Sequence, residues 1–274
     1  MTSEDDGHAD GHRVDVAVAG HVAEVRLDRP DKHNALDFAM FAAIGAAIDE
    51  VAADPAVRAV VLYGAGPSFC SGLDLASFAA TGRPVDSMFE RRPGEDANRA
   101  QHVSYGWQLM PAPVIAAIHG NCLGGGAQIA LGADIRVIAP DAMMSIREVH
   151  WGLIPDMGIT RSLPRLVRAD IARELVLTAR MVDGAEAARI GLATSVSEDP
   201  LAAARELAAA IAERSPDATR RAKTLLERAW NMPAAESLAL EEELQRELLG
   251  SANQMKAVEA GMGGSPGDFD DPRA

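Results

Sequence analysis

Residues 119–128 read His119-Gly120-Asn121-Cys122-Leu123-Gly124-Gly125-Gly126-Ala127-Gln128. The apolar run Pro113 to Ile118 leads in, and the helix-capable run Ala127 to Leu131 leads out. Three glycines between a strand and a helix let backbone approach a ligand where a Cβ would obstruct it. The first amides of a helix lack intrahelical partners and point one way, so they can hold a developing negative oxygen. Such a turn suits chemistry on a carbonyl or thioester. A tight turn or a close packing contact is the plainer reading of the same glycines. Neither G-x-G-x-x-G in its dinucleotide setting nor G-K-[ST] is present, which removes the common nucleotide motifs.

Working outward, a second glycine turn lies upstream, Ser68-Phe69-Cys70-Ser71-Gly72-Leu73-Asp74-Leu75, after the strand-like run Ala59-Val60-Val61-Leu62-Tyr63. A third patch lies downstream, Ser145-Ile146-Arg147-Glu148-Val149-His150-Trp151-Gly152-Leu153-Ile154-Pro155-Asp156-Met157-Gly158. Taken in order, with Arg29-Pro30 and Asn34-Ala35-Leu36 before them and Ser215-Pro216 and Ala222-Lys223 after, the patches resemble the crotonase superfamily, the enoyl-CoA hydratases and isomerases. The resemblance runs from about Val14 to Pro272. It implies an α/β fold in which ββα turns form a spiral core, followed by a C-terminal helical region.

The organisation of the chain fits that expectation. Residues 1–12 are acidic and carry histidines, unlike a signal peptide, and read as a disordered tail. Residues 13–198 read as the spiral core. Val14 to Val18 and His21 to Leu27 suggest a hairpin; Val57 to Tyr63, Val114 to Ile118, Asp134 to Ala139 and Met143 to Ile146 suggest further strands. Asp37 is the expected N-cap of a helix reaching Ala53, with its stripe Phe38-Phe41-Ile44-Ile48. From 199 to 274 the texture becomes helical, with Pro200, Pro216 and Pro233 at first-turn positions. By resemblance these helices cover the active site and build a homotrimer or a dimer of trimers. Thr81 to Gln101 is polar and holds Arg91-Arg92, which reads as a long mobile loop. Resemblance puts that segment beside the acyl pocket, and a surface insertion is the other reading.

Composition narrows the function. Net charge is -14, so nucleic acid is repelled over most of the surface. No apolar run reaches membrane-spanning length. Two cysteines, Cys70 and Cys122, cannot build a disulfide framework and fit a reducing, cytoplasmic setting. They read as small buried residues beside the glycine turns. No spaced ligand set such as H-E-x-x-H is present, and no metal is expected. No G-x-S-x-G elbow points to a hydrolytic serine. Coenzyme A enters only as part of an acyl-CoA thioester substrate, with no separate cofactor. Its phosphates need local cations in an acidic protein, and Arg26, Arg29, Lys32, Arg58 and Lys223 are the candidates.

The resemblance also assigns the chemistry. It puts oxyanion-hole amides at Leu73 and Gly125, substrate contacts at Asp74, Leu75, Ala76, Gly124 and Trp151, and CoA contacts at Arg29, Lys32 and Ala35. Hydratases of this family carry one carboxylate two residues after the glycine triplet and another twenty residues on. Here those positions hold Gln128 and Glu148. Glutamine can hold water but cannot take a proton. Relatives that move a double bond rely on the glutamate at the second position, here Glu148. Asp156 stands where dienoyl-CoA isomerases carry Asp, and it also fits as the N-cap of a helix near Met157. The implied activity is therefore a double-bond shift through Glu148, Asp156 and Gln128, with enoyl-CoA hydration as its rival. A non-catalytic acyl-CoA-binding chain is the reading from another class.

Overall fold

The computed structural model describes residues 12–81, 85–264 and 267–272. The expected tail lies, but for His12, outside the described residues. In chain order the strands are β1 (Val14–Ala19), β2 (Val22–Leu27), β3 (Ala59–Gly64), β4 (Val114–Ile118), β5 (Asn121–Leu123), β6 (Ile135–Ile138), β7 (Met143–Ser145), β8 (Val182–Asp183) and β9 (Ser195–Val196). They form a sheet in the order β1-β2-β3-β4-β6-β9 and a second in the order β5-β7-β8. β1 and β2 are the expected antiparallel hairpin, Val14 facing Leu27; from β2 onward the first sheet is parallel.

The parallel strands are apolar on both faces because both are covered. Along β3 and β4, Val60, Leu62, Val114, Ala116 and Ile118 join the main core. Helix α1 (Phe38–Ala53) packs there through Met40, Ile44 and Ile48. Asp37 caps α1 as expected, accepting from Met40 N at 2.7 Å. The alternate residues Ala59, Val61, Ile115 and Ala117 face the other way and meet Ala204 and Ala208.

The segment from Thr81 to Gln101 departs from a plain loop. Helix α2 (Leu75–Thr81) enters it, a 3-10 turn spans Val85–Phe89, and α3 (Arg99–Leu109) starts before Gln101. Asn98 and Gln101 form a reciprocal capping box, at 2.8 and 3.0 Å, which fixes where α3 begins. Four further helices follow: α4 (Gly125–Leu131), α5 (Ile159–Ser162), α6 (Ala169–Thr178) and α7 (Gly184–Ile190).

The C-terminal helices are α8 (Pro200–Ala212), α9 (Pro216–Ala229), α10 (Ala234–Leu248) and α11 (Ala252–Gly261). Ala204 and Ala208 lay α8 on the back of the sheet, as one of its layers. Lys223 on α9 reaches into the core, with Asp134 at 2.6 Å and the Trp107 carbonyl at 3.0 Å. The chain folds back through residues 267–272, where Arg58 donates to the Phe269 carbonyl at 2.7 Å. Arg58 and Lys223 are thus buried structural cations, not the phosphate partners the sequence suggested. No described helix is long and apolar enough to cross a membrane.

Candidate active site

The two glycine turns are brought together by one bridge. Cys70 pairs with Cys122 in parallel: Cys70 N donates to the Asn121 carbonyl at 3.0 Å, and Leu123 N donates to the Cys70 carbonyl at 2.9 Å. Two residues beyond each cysteine stands a glycine with positive φ, Gly72 at 91° and Gly124 at 53°. Side chains rarely adopt that backbone. A Cβ on Gly72 would also lie 2.7 Å from the Leu123 carbonyl oxygen. One residue further come Leu73 and Gly125. Leu36 uses the carbonyl of Gly72 and the amide of Asp74, so the Leu73 amide points away from that bridge. Gly125 opens α4, where its amide has no intrahelical partner. Both thiols are fully buried, which pushes Cys70 up to about 12 and Cys122 well above the ordinary range. Neither is a nucleophile at neutral pH.

A cavity of about 460 Å³ opens at these turns. Gly72, Leu73, Leu75, Gly124, Gly125, Glu148, Trp151 and Asp156 line it, together with an apolar wall of Phe41, Phe78, Met88 and Ala100. The expected contacts Leu75, Gly124 and Trp151 are therefore at the pocket. Ala76 is exposed and not among its lining residues. Met88, Phe89 and Ala100 bring the described part of that segment into the pocket wall. None of α8–α11 contributes a lining residue among those described; the apolar wall comes from α1, α2, the 3-10 turn Val85–Phe89 and α3.

Asp74 stands outside the lining. It caps α2, accepting from Ser77 N at 3.0 Å and the Ser77 hydroxyl at 2.6 Å, and pairs with Arg29 at 2.9 Å. Burial alone would raise its carboxyl, but the Ser77 hydrogen bonds and Arg29 outweigh it and hold Asp74 at about 2. Arg29 also donates to the Ala35 carbonyl at 3.0 Å and lies 3.6 Å from Asp37. Its guanidinium is spent inside the protein, which corrects its assignment to CoA phosphate. Arg26 is likewise paired, with Asp15 and Asp28. Lys32 is exposed, with its carbonyl 3.4 Å from the Ser71 hydroxyl. Asn34, fully buried, donates to the carbonyls of Ala65, Ser68 and Phe69 and so fixes the loop before the first glycine turn. Among the described residues His12, Asp15 and Asp28 also cluster; Asp15 and Asp28 pair with Arg26, and His12 pairs with Asp15.

Glu148 begins the 3-10 turn Glu148–Trp151. Its Oε1 accepts from Gln128 Nε2 at 2.6 Å; its Oε2 is buried and has no hydrogen-bond partner. Burial raises its proton affinity, and the nearby Asp156 charge adds to the rise. Burial raises Asp156 as well. Asp156 caps nothing: α5 starts at Ile159 with Gly158 as its N-cap. Of the two roles the sequence left open, the cap is removed. Gln128 is fully buried, and its Oε1 accepts from Met157 N at 2.9 Å. Both ends of its amide are therefore used, so it does not hold a water in the pocket as expected. Met157, whose backbone orients that amide, carried no signal in the sequence.

The family model for enoyl-CoA hydratase/isomerase matches residues 18–263. The mitochondrial Delta(3,5)-Delta(2,4)-dienoyl-CoA isomerase of Rattus norvegicus is 34% identical over 257 residues, 88% of this chain and 76% of that protein. The short-chain-enoyl-CoA hydratase of Clostridium acetobutylicum is 34% identical over 244 residues, 88% of this chain and 91% of that one. Among solved structures, an enoyl-CoA hydratase from Bacillus anthracis superposes with a TM-score of 0.86 at 26% identity, covering 95% of this chain and 100% of that chain.

Proposed function

The chain belongs to the enoyl-CoA hydratase/isomerase family, and within it we propose that this enzyme shifts a double bond, of the 3-enoyl to 2-enoyl or the dienoyl type. The observation that carries the reading is Glu148 Oε2, a buried carboxylate oxygen without a partner, on a carboxyl lining an otherwise largely apolar pocket. The neighbouring position that would hold a second carboxylate for water addition is Gln128, and its amide is already committed to Glu148 and Met157.

The thioester carbonyl sits against the amides of Leu73 and Gly125. Glu148 takes a proton from the α-carbon, and the C–H electron pair moves into a dienolate whose oxygen those amides stabilise. Backbone donors suit this task because they are fixed before charge develops; one such donor is worth about 3 kcal/mol. The electron pair returns to the γ-carbon, which takes the proton back from Glu148, and the double bond is conjugated with the carbonyl. In a dienoyl substrate the returning proton goes to the far end of the diene, where Asp156 is the second carboxyl of the same pocket. A raised proton affinity suits a group that must both take and give a proton near neutrality.

This chemistry needs no cofactor beyond the CoA moiety of the substrate. The reading also carries a cytoplasmic homotrimer or dimer of trimers, supported by exposed apolar residues along the C-terminal helices, Leu226, Trp230, Leu238, Leu249 and Met255 among them.

The test offers 3-enoyl-CoA, 3,5-dienoyl-CoA and 2-enoyl-CoA in parallel, with products followed by mass and ultraviolet absorbance. Conversion of a 3-enoyl or 3,5-dienoyl thioester at constant mass is the expected result. Gain of water by 2-enoyl-CoA, with neither isomerisation, overturns the reading in favour of a hydratase.

A further inference from the structure

The Gln128 amide has one orientation available. Met157 N can only donate, so the oxygen of Gln128 must face it, at 2.9 Å. The nitrogen then faces Glu148 Oε1, at 2.6 Å. The backbone of Gln128 is held as firmly: its amide donates to the Gly124 carbonyl at 3.0 Å, and its carbonyl accepts from the Ser104 hydroxyl at 2.6 Å. The side chain is fully buried, with no solvent to compete for either end.

We propose that Gln128 is a positioning residue, which pins Glu148 through Oε1, leaves Oε2 as the atom that moves the proton, and ties the carboxylate to the Asp156–Met157 segment. The inference rests on the reading of Glu148 as the acid–base group. A donor to one carboxylate oxygen stabilises the ionised base and fixes its rotamer. A donor with no ionisable proton does so at every pH. Glutamine supplies both properties, and glutamate at this position supplies neither without a proton.

This reasoning gives Q128E its own signature. Its Oε1 would keep the Met157 contact, and its second oxygen would meet Glu148 Oε1, acceptor against acceptor. The pair must then share one proton and titrate together. With that proton present, Q128E reproduces the wild-type arrangement; once it leaves, the pin is gone. Wild type therefore shows only an acid limb from this site, whereas Q128E shows a bell. Q128M keeps the volume and removes the pin at all pH values.

The experiment measures kcat, KM and their pH profiles on the isomerised thioester for wild type, E148Q, Q128M and Q128E. Binding of octanoyl-CoA by calorimetry serves as a check on folding and pocket integrity. Expected are a fall of roughly 10- to 100-fold in kcat for Q128M, the value of one hydrogen bond to a charged group, with KM and octanoyl-CoA affinity within about threefold of wild type, and an alkaline limb confined to Q128E. Activity retained by E148Q defeats the underlying reading of the site. Loss of activity in E148Q, together with wild-type kcat and pH profile in Q128M, defeats the role of Gln128 alone. If Q128M does not fold, Q128E decides: a profile identical to wild type overturns the proposal.

Discussion

Cys70 and Cys122 face each other across a single parallel bridge, and each stands three residues before one amide of the candidate oxyanion hole, Leu73 and Gly125. The geometry of the hole is thus set by how closely two turns approach at one point. At Gly126 the approach is tight: a Cβ there would lie 2.3 Å from the Cys70 carbonyl oxygen and 2.8 Å from its Cβ. Gly125 is tight in another way, since a Cβ would meet Leu36 Cδ1 at 2.8 Å and Met157 Sδ at 3.0 Å. Those atoms end flexible side chains and can move; a backbone carbonyl cannot. G126A is expected to lose about 3 kcal/mol of stability by overpacking. G125A is expected to fold with a smaller loss and to show reduced kcat. Thermal melts of both variants beside steady-state rates check the contrast. Equal stability losses would mean the bridge can open.

Glu148 is held in its site at a cost to the fold. Its folded proton affinity is raised, first by burial and then by Asp156. For an acid with a raised value, stability is full below the ordinary glutamate range and declines as pH rises through the folded value. E148Q removes that decline. The variant is expected to be roughly 10²- to 10⁴-fold slower and yet more stable than wild type at pH 7. The gain in stability fades as the pH approaches the ordinary glutamate value of about 4. Melts at either end of that range test this; a variant less stable than wild type at pH 7 would show that Glu148 is held by favourable contacts instead. The same sign places the acid limb of wild-type kcat/KM above the ordinary glutamate range, because the base must be ionised to act.

The pair Arg29–Asp74 works in the opposite direction. Asp74 is held at about 2, so its contribution is complete above the ordinary aspartate value and is lost as pH falls from about 4 towards 2. Both side chains are largely buried, 12% and 13% exposed, and removal of Asp74 takes the nearer carboxylate from Arg29, leaving Asp37 at 3.6 Å. D74N is expected to cost about 3 kcal/mol at pH 7, with the difference from wild type shrinking below pH 4. Asp74 follows Leu73 directly, so kcat should fall with stability. Denaturant midpoints across that pH range, read beside kcat, decide it; a D74N protein as stable as wild type at pH 7 would make the pair a surface ornament.

What the residues declared in advance depended on range. Asp37 and the stripe behind it are local, and α1 formed as its pattern dictates. Apolar runs bounded by turns produced β3 and β4. The resemblance carried by the glycine turns and the third patch assigned Leu73, Gly125, Glu148 and Asp156, and all four line one pocket. The cations were misread because their partners are remote: Asp134 lies 89 residues from Lys223, and Asp271 lies 213 residues from Arg58. An unpaired-looking cation in sequence says nothing about a carboxylate elsewhere in the chain. The resemblance put the 81–101 segment beside the acyl pocket, and Met88, Phe89 and Ala100 do line it; what polar spacing hid is the 3-10 turn and the start of α3, which make it more than a plain loop. The Asn98-to-Gln101 box was a local signal for the start of α3 and was there to be used. Orientation of the Gln128 amide was beyond any pattern, because it depends on the direction of one backbone N–H at Met157.

The apolar wall makes a prediction about chain length. Phe78 stacks on Phe38 with ring centroids 4.3 Å apart and meets Phe41 edge-on at 6.3 Å, so this side of the cavity is stiff. Ala100, on the first turn of α3, is the small residue among Phe41, Phe78 and Met88. A larger side chain there must take its space from the cavity, because the rings beside it are already in contact. If the acyl chain lies along this wall, A100F removes room for several methylenes, each worth about 0.8 kcal/mol when buried. The ratio of kcat/KM for long to short acyl thioesters should then fall by roughly fourfold for each methylene displaced, while short substrates react nearly as before. A series of thioesters of increasing length, assayed on wild type and A100F, gives the profile. An unchanged ratio would place the acyl chain elsewhere in the lining, which also includes Leu153 and Ile154.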